Sequence, residues 1–410
     1  MKILHIGTII DGGAGLGMLR LHRDLLACGV DSKILCLKRG KNEDERIYGY
    51  LDDERIGGNY RRNFLAAALN RMHLYSAPFY KYAEVINGLL KGGPMVSSPY
   101  TGYKIHDIKL IEETDVINLH WIANFIDYPS FFKTVNKPIV WTLRDENPVL
   151  GLWHFRQDIP EKMPPSINEL DKLIRKRKVK WISQAKRLAV VSLSREEDVF
   201  FTESSAFAGR MHRVIPNSID GELFFRHDRN NIRKEYGIRE EAIVLVFVAQ
   251  NLCDTRKGLH DLLQALKILN MPDVVLICVG SGKVPPIPIP NRIISVGKVT
   301  DLSLLSAIYS ASDIFISPSY AETFGKTLTE ALACGVPVVS YPNAGAKDII
   351  VDENDGVLCE SFTVHALVQA ITKAISNKYD EDALRQRVLK RFSNYVVVNS
   401  YCSIYKDILG

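Results

Sequence analysis

The chain has no cysteine pattern that would staple or ligate. Its seven cysteines, at 28, 36, 253, 278, 334, 359 and 402, are odd in number and lack paired spacing, which excludes a disulfide framework and a metal cluster and points to a reducing compartment. Long apolar runs are also missing. None approaches the roughly 18 to 20 residues that a spanning helix needs, and the N-terminal LHIGTII is too short for a signal peptide and lacks a small-residue cleavage site. The expectation is a cytoplasmic protein. Excess charge is absent from most of the chain: of the net +5, residues 171–187 hold +7 (eight Lys/Arg against one Asp), leaving −2 for the remaining 393. With 410 residues and 46% hydrophobic content, the chain is long enough for about two domains.

What is present is an alternation of short apolar runs and helical periodicities. MKILHIG reads as a strand, DGGAGLG as a loop, Met18 to Cys28 as a helix closed by Gly29, and KILCL from Lys33 as a second strand. A glycine-rich loop after a first strand invites a dinucleotide reading, but Gly13, Gly15 and Gly17 give G-x-G-x-G with Met18 where the third glycine belongs. The second strand then leads into Lys38 and Arg39 rather than a ribose-binding acid. Residues 40–104 are aromatic, basic and apolar together; core helices are the favoured reading and a lipid-touching surface the other. Asp115 to Trp121 and Lys137 to Leu143 follow as buried strands, then Leu188 to Ser192, with Ser192 to Ser194 capping a helix. After a charged stretch, Ile243 to Ala249, Val274 to Val279 and Ile293 to Val299 restart the alternation.

The most informative stretch is Ala321 to Val339, AETFGKTLTEALACGVPVV. Gly325 makes a tight turn, Lys326 through Cys334 are good helix formers, and Gly335 with Pro337 ends the run. Its first turn offers the N–H groups of Gly325, Lys326 and Thr327 and the positive end of the helix dipole, a seat for a diphosphate. Glu330 shares the face of Lys326 and Thr327 and is placed for ribose hydroxyls, while Glu322, before the turn, is placed for a sugar. Either glutamate alone is an ordinary dipole partner or solvated acid; the combination is what points to a ligand.

Two glutamates separated by seven residues, flanking an F-G turn at Phe324-Gly325 and preceding A-C-G-V-P-V-V, resemble the donor site of the retaining family 4 glycosyltransferases, the glycosyl transferases group 1 domain. The resemblance implies an α/β chain of GT-B fold, two Rossmann-like domains facing across a cleft, with boundaries expected at 1–222, 223–385 and 386–410. The last segment is a helix crossing back to the first domain. It implies transfer of a sugar from a nucleotide-sugar donor with retention, without cofactor; no Asp-x-Asp follows a strand, so no metal is expected. Diphosphate charge falls to Arg256 and Lys257, matching the family's basic loop, and to the helix start; Val299 matches the segment that holds the base. Gly12, Gly13 and Gly15 match the loop that approaches donor or acceptor. Asp348 stands for the usual acid of a G-G-x-x-E segment, and Ser218 for a glycine in I-P-N-G-x-D.

Two departures stand out. Relatives carry His-Asp after W-T-x where this chain has Arg144-Asp145, so Arg144 is a candidate for sugar or diphosphate, and His120 and His154 are candidates for the missing imidazole. The arginine expected after the first strand of the second domain is replaced by Gln250-Asn251. The basic run 171–187 reads as an amphipathic helix with Leu170, Leu173, Ile174, Trp181, Ala185 and Leu188 on one side. Its other face is either a solvated surface or a contact with anionic membrane; nucleic acid has no supporting motif. The implied acceptor is a glycan or lipid-linked glycan of bacterial surface polysaccharide. A noncatalytic nucleotide-sugar-binding protein, a sugar-nucleotide epimerase and a membrane-associated scaffold are the other readings.

Overall fold

The computed structural model describes residues 1–56, 95–101 and 103–410. The aromatic and basic run at 61–90 lies outside them. The chain forms two compact units, one made of Met1–Leu193, Glu197–Ile215 and Val398–Gly410, the other of Ser194–Glu196 and Pro216–Val397.

The first unit is built on β1 (Lys2–Ile6), β2 (Asp31–Cys36), β3 (Ile47–Gly49), β4 (Val116–Leu119), β5 (Ile139–Thr142), β6 (Leu188–Ser192) and β7 (Met211–Val214), in the order β3-β2-β1-β4-β5-β6-β7. The second is built on β8 (Ile243–Asn251), β9 (Val274–Ser281), β10 (Arg292–Gly297), β11 (Ile314–Ser317), β12 (Val338–Ser340) and β13 (Gly356–Leu358), in the order β10-β9-β8-β11-β12-β13. Every pairing is parallel. Helices cover both faces of such sheets, so β5, β6 and β11 are buried at every residue, while the edge strands β7 and β10 contain no fully buried one. Trp141, Phe131, Phe132 and Phe207 fill the first core, and Leu262, Leu263, Leu276 and Ile316 the second.

In each sheet the strand order reverses once, between β1 and β4 and between β8 and β11. Beyond the carboxyl ends of the strands at such a reversal, the crossovers depart in opposite directions and leave room for a ligand. Both groups of candidate residues lie at these ends. The last helix, Asn394–Leu409, begins in the second unit and enters the first at Val398. There the hydroxyls of Tyr401 and Tyr405 meet Thr142 at 3.2 Å and Asn118 at 2.6 Å.

Two local expectations are corrected. The first helix spans Gly12–Ala27 instead of starting at Met18, so most of the glycine-rich loop is helical. The reason is close packing: a Cβ on Gly15 would lie 2.5 Å from the carbonyl carbon of Ile10 and 2.8 Å from the oxygen of Ile9. The basic helix spans Pro165–Ile182 and buries Ile174, Lys178 and Ile182 at i, i+4 and i+8, leaving Leu173 41% exposed and placing Ala185 and Leu188 beyond its end.

Two of the four glycines of the first helix, Gly13 and Gly15, should therefore respond oppositely to alanine. Gly13, where an added methyl would meet nothing within 4 Å, should gain about 0.5–1 kcal/mol from helix propensity, whereas Gly15→Ala should lose about 1–3 kcal/mol to overpacking against backbone. Urea denaturation of both variants measures this, and equal effects would refute the packing account.

Candidate functional site

In the second unit, the segment after β8 is pressed onto the segment after β11. Gly258, at φ +71°, permits this, since a Cβ there would sit 2.0 Å from the oxygen of Pro318. The Tyr320 N–H donates to the Arg256 carbonyl at 2.9 Å and ties the two segments. This close approach brings Lys257 against Glu322, whose carboxylate accepts from the lysine Nζ in an ion pair. Both partners are partly open, at 28% and 19% side-chain exposure, so the pair can be reached from outside. The Arg256 guanidinium bonds Asp254 at 3.0 Å, and the Asp254 carboxylate also accepts from the Arg256 N–H at 3.0 Å.

The chain then turns at Gly325, φ +89°, into the helix Lys326–Ala333, whose N-cap makes no side-chain hydrogen bond. The amides of a helix's first turn point past its end, where the dipole is positive; here the Leu328 N–H donates back to the Gly325 carbonyl at 3.0 Å. Glu330 lies one turn along and is 7% exposed, with the Tyr309 hydroxyl donating to its Oε2 at 3.4 Å. Burial first, and then the Glu330 charge, holds the Tyr309 phenol far above its ordinary range, so it remains a donor. Phe324 is 2% exposed and packs on Phe392 at 5.5 Å between ring centroids; it anchors the turn from inside. Gly345 closes the other side, donating its N–H to the Glu322 carbonyl at 3.1 Å. Lys326 and Thr327 are half-buried, as is Val299, just past Gly297 at the end of β10.

In the first unit, His5 of β1, His120 just past β4 and Arg144 just past β5 form one hydrogen-bonded row. Arg144 reaches His120 Nδ1 from Nε at 3.3 Å and from Nη2 at 3.2 Å, and His120 Nε2 lies 2.9 Å from His5 Nδ1. A guanidinium only donates, so His120 Nδ1 is the acceptor and its proton sits on Nε2, facing His5. Both imidazoles are held well below their ordinary pKa by burial, then by His22 for His5 and by Arg144 for His120. They are neutral at pH 7 beside a buried guanidinium.

Asp145 points elsewhere. Its Oδ2 accepts from Trp121 Nε1 at 2.6 Å and lies 2.5 Å from His154 Nδ1, and its Oδ1 accepts from the Asn147 N–H at 3.1 Å. Of the expected residues, the structure thus joins Lys257 with Glu322, Arg144 with His120, and Asp145 with His154. Gly13 is exposed beside open space, while Gly15 is occupied by packing. Gln250 and Asn251 end β8 in exposed positions. Asp348 accepts from the N–H and Nε of Arg195 at 2.7 and 2.8 Å. Sequence reasoning missed His5, whose signal was one polar residue in the apolar strand KILHI.

Comparison with known proteins places this geometry. Residues 228–391 match the family model described as glycosyl transferases group 1. The N-acetyl-alpha-D-glucosaminyl L-malate synthase of Bacillus anthracis is 29% identical over 210 residues, which are 48% of this chain and 54% of that protein. The capsular polysaccharide biosynthesis glycosyltransferase CapM of Staphylococcus aureus is 25% identical over 198 residues, 45% of this chain and 52% of that protein. The chain thus spans about half the length of the curated relatives it matches. HepE of Anabaena, solved in complex with UDP-glucose, superposes with a TM-score of 0.63 at 17% identity, covering 99% of this chain and 100% of that one. The two parallel α/β units have the GT-B fold, and residues 228–391, within the second unit, match the glycosyl transferases group 1 family.

Proposed function

We propose that the protein is a retaining, metal-independent glycosyltransferase that moves a sugar from a nucleotide-sugar donor to a glycan or lipid-linked glycan. The observation that carries this reading is the Lys257–Glu322 pair beside the uncapped start of the helix Lys326–Ala333, with Glu330 one turn along. The donor's diphosphate sits on the amides of Gly325, Lys326 and Thr327 and draws Lys257 away from Glu322. Glu322 is then free to accept from the sugar's hydroxyls, and Glu330 accepts from the ribose. The bond from the anomeric carbon to phosphate oxygen breaks while the bond to the acceptor oxygen forms on the same face. The acceptor's proton leaves with the nucleoside diphosphate. Lys257, Arg256 and the helix dipole stabilise the charge that develops on the leaving group, which is the largest catalytic contribution. In this reading Val299 lies by the base. The UDP-glucose complex of HepE supports a nucleotide sugar, and the name of CapM supports surface polysaccharide as the acceptor class.

Attachment to the cytoplasmic face of the plasma membrane belongs to the same proposal. Among the described residues no helix is long and apolar enough to cross a membrane. Lys172, Arg175, Lys176, Lys180, Lys186 and Arg187 are exposed on or just after the helix Pro165–Ile182, and among the described residues none of the six makes an ion pair. Each lysine or arginine near an anionic surface contributes about 1 kcal/mol at low salt.

Three outcomes are expected. In a thermal-shift screen of UDP-, GDP- and dTDP-sugars, the preferred donor at 100 times its dissociation constant should add about 2.7 kcal/mol, and Glu330→Ala should remove the shift. An unchanged shift would refute the ribose assignment. Lys257→Ala should lower kcat/KM about 10²- to 10³-fold, with the product's anomeric configuration by NMR matching the donor's. A donor shift without transfer would favour a binding protein, donor interconversion an epimerase, and an inverted product would end the retaining reading. Reversing Lys172, Lys176 and Lys180 to glutamate should lower co-sedimentation with anionic vesicles at least about 100-fold at low salt, with neutral vesicles binding neither protein. Equal binding by both would refute the membrane contact.

A further inference from the structure

Tyr320 and Phe362 are 36% and 41% exposed, and their rings stack on one another, 6.0 Å apart between centroids and 14° from parallel. The donor site uses neither. Tyr320 lies past β11, two residues before Glu322, and Phe362 lies past β13, ahead of the helix Val364–Ser376. The buried ring of Tyr341, just past β12, holds both from inside at 5.5 and 5.6 Å. Asp261 Oδ2 accepts from the Tyr320 hydroxyl at 2.5 Å and from the Tyr341 hydroxyl at 2.8 Å, and the Tyr320 N–H donates to the Arg256 carbonyl at 2.9 Å. Tyr320 is thus tied at both ends, so little side-chain freedom is lost when a ligand lies against it.

The chemistry of the patch narrows the ligand. The two rings offer flat apolar faces, and polar residues flank them in the chain: exposed His260, Glu360 and Ser361, and half-buried Asp261. Asp261 Oδ1 accepts no hydrogen bond among the described residues, since both phenols go to Oδ2. A pyranose has the matching form, with one face of C–H groups that lies on an aromatic ring and a rim of hydroxyls that donate to a carboxylate or an imidazole. A protein partner matches less well, because a stable interface covers about 800 Å² on each side, far more than two partly exposed rings supply. Position narrows it further. Along the carboxyl edge the strand order is β10-β9-β8-β11-β12-β13. In the transfer reading the base lies by Val299 past β10, the diphosphate by the segments that leave β8 and β11, and the sugar by Glu322 past β11. Tyr341 and Phe362, past β12 and β13, come next in that order. We propose that Tyr320 and Phe362 form a stacking platform for a pyranose ring of the acceptor, and that the acceptor is a glycan longer than one sugar, one ring receiving the transferred sugar while another lies on the platform. The acceptor role of the platform rests on the transfer reading.

The test applies the labelled protein, without donor, to an array of bacterial surface-polysaccharide fragments from monosaccharides upward. The unaltered protein should retain oligosaccharides and not monosaccharides. Phe362→Leu keeps an apolar cover over Tyr341 but removes the ring, so retention should fall about 5- to 10-fold, whereas Phe362→Trp, which keeps an aromatic face, should retain them. Tyr320→Leu should act as Phe362→Leu does, and serves if that variant does not fold. In transfer assays the KM for the acceptor should rise by the same factor in Phe362→Leu, with the KM for the donor unchanged. An unaltered protein that retains no oligosaccharide, or equal retention by Phe362→Leu, would overturn the proposal. So would a self-associated protein that Phe362→Leu dissociates in sedimentation velocity, since the patch would then be a contact between copies. Retention on the array without any transfer would leave the platform standing and sink the transfer reading, while transfer with one acceptor KM for every variant would do the reverse.

Discussion

Everything at the candidate site follows from the fact that all strands in both sheets run the same way. A parallel strand cannot reach its neighbour by a tight turn; it needs a crossover, so every carboxyl end opens on one edge of its sheet. The segments that leave β8 and β11 are forced to share that edge where the strand order reverses. Whether they can share it is decided by backbone contact, not by side-chain attraction. At Gly258 a single added carbon would meet the Pro318 oxygen at 2.0 Å, and at Gly345 it would meet the Phe324 oxygen at 2.1 Å. Those two glycines set the distance between Lys257 and Glu322, and the ion pair is a consequence of the fit.

The two units treat charge in different ways. In the second, opposite charges face one another while partly open, so water screens the pair and its contribution to stability is small, within about 1 kcal/mol. A weakly held pair is easily separated by an anion that offers the lysine more than one carboxylate does. In the first unit the row is buried, and its two histidines are neutral beside the one guanidinium of Arg144. His5 and His120 shed their protons, and hydrogen bonds order their tautomers from Arg144 inward. One arrangement is ready to exchange partners, and the other is fixed in direction.

How much of this was legible in the sequence differs by kind of signal. The parallel architecture was readable because short apolar runs alternate with period-3.6 patterns, and the helix after Gly325 because its start, its formers and its stop are all local. Glu322, Glu330 and Lys257 were likewise visible as residue types at fixed spacing. Hidden features depended on distant backbone. Gly15 reads as a ligand-approach glycine in one dimension, yet it serves the packing of the first helix on Ile9 and Ile10. His5 gave no motif, because its partner His120 is 115 residues away. The edge strand β7 carries the polar sequence MHRV and lacks the apolar run that marks the buried strands.

Lys178 shows most clearly why charge counting and structure part company. As one of eight basic residues in 17, it adds to a cationic surface; in the fold it subtracts from one. The helix Pro165–Ile182 needed a buried residue at its central core position, between Ile174 and Ile182, and a leucine there would have packed. A leucine would also have left the carbonyls of Asn147 and Gly151 facing an apolar face with no donor, a loss of about 1–3 kcal/mol for each unsatisfied group. The long lysine stem fills the space of the leucine while its head answers oxygens that no regular strand or helix satisfies. The irregular loop that follows β5, and with it the setting of Arg144 and Asp145, can exist in this form because that one side chain crosses from the helix to meet it.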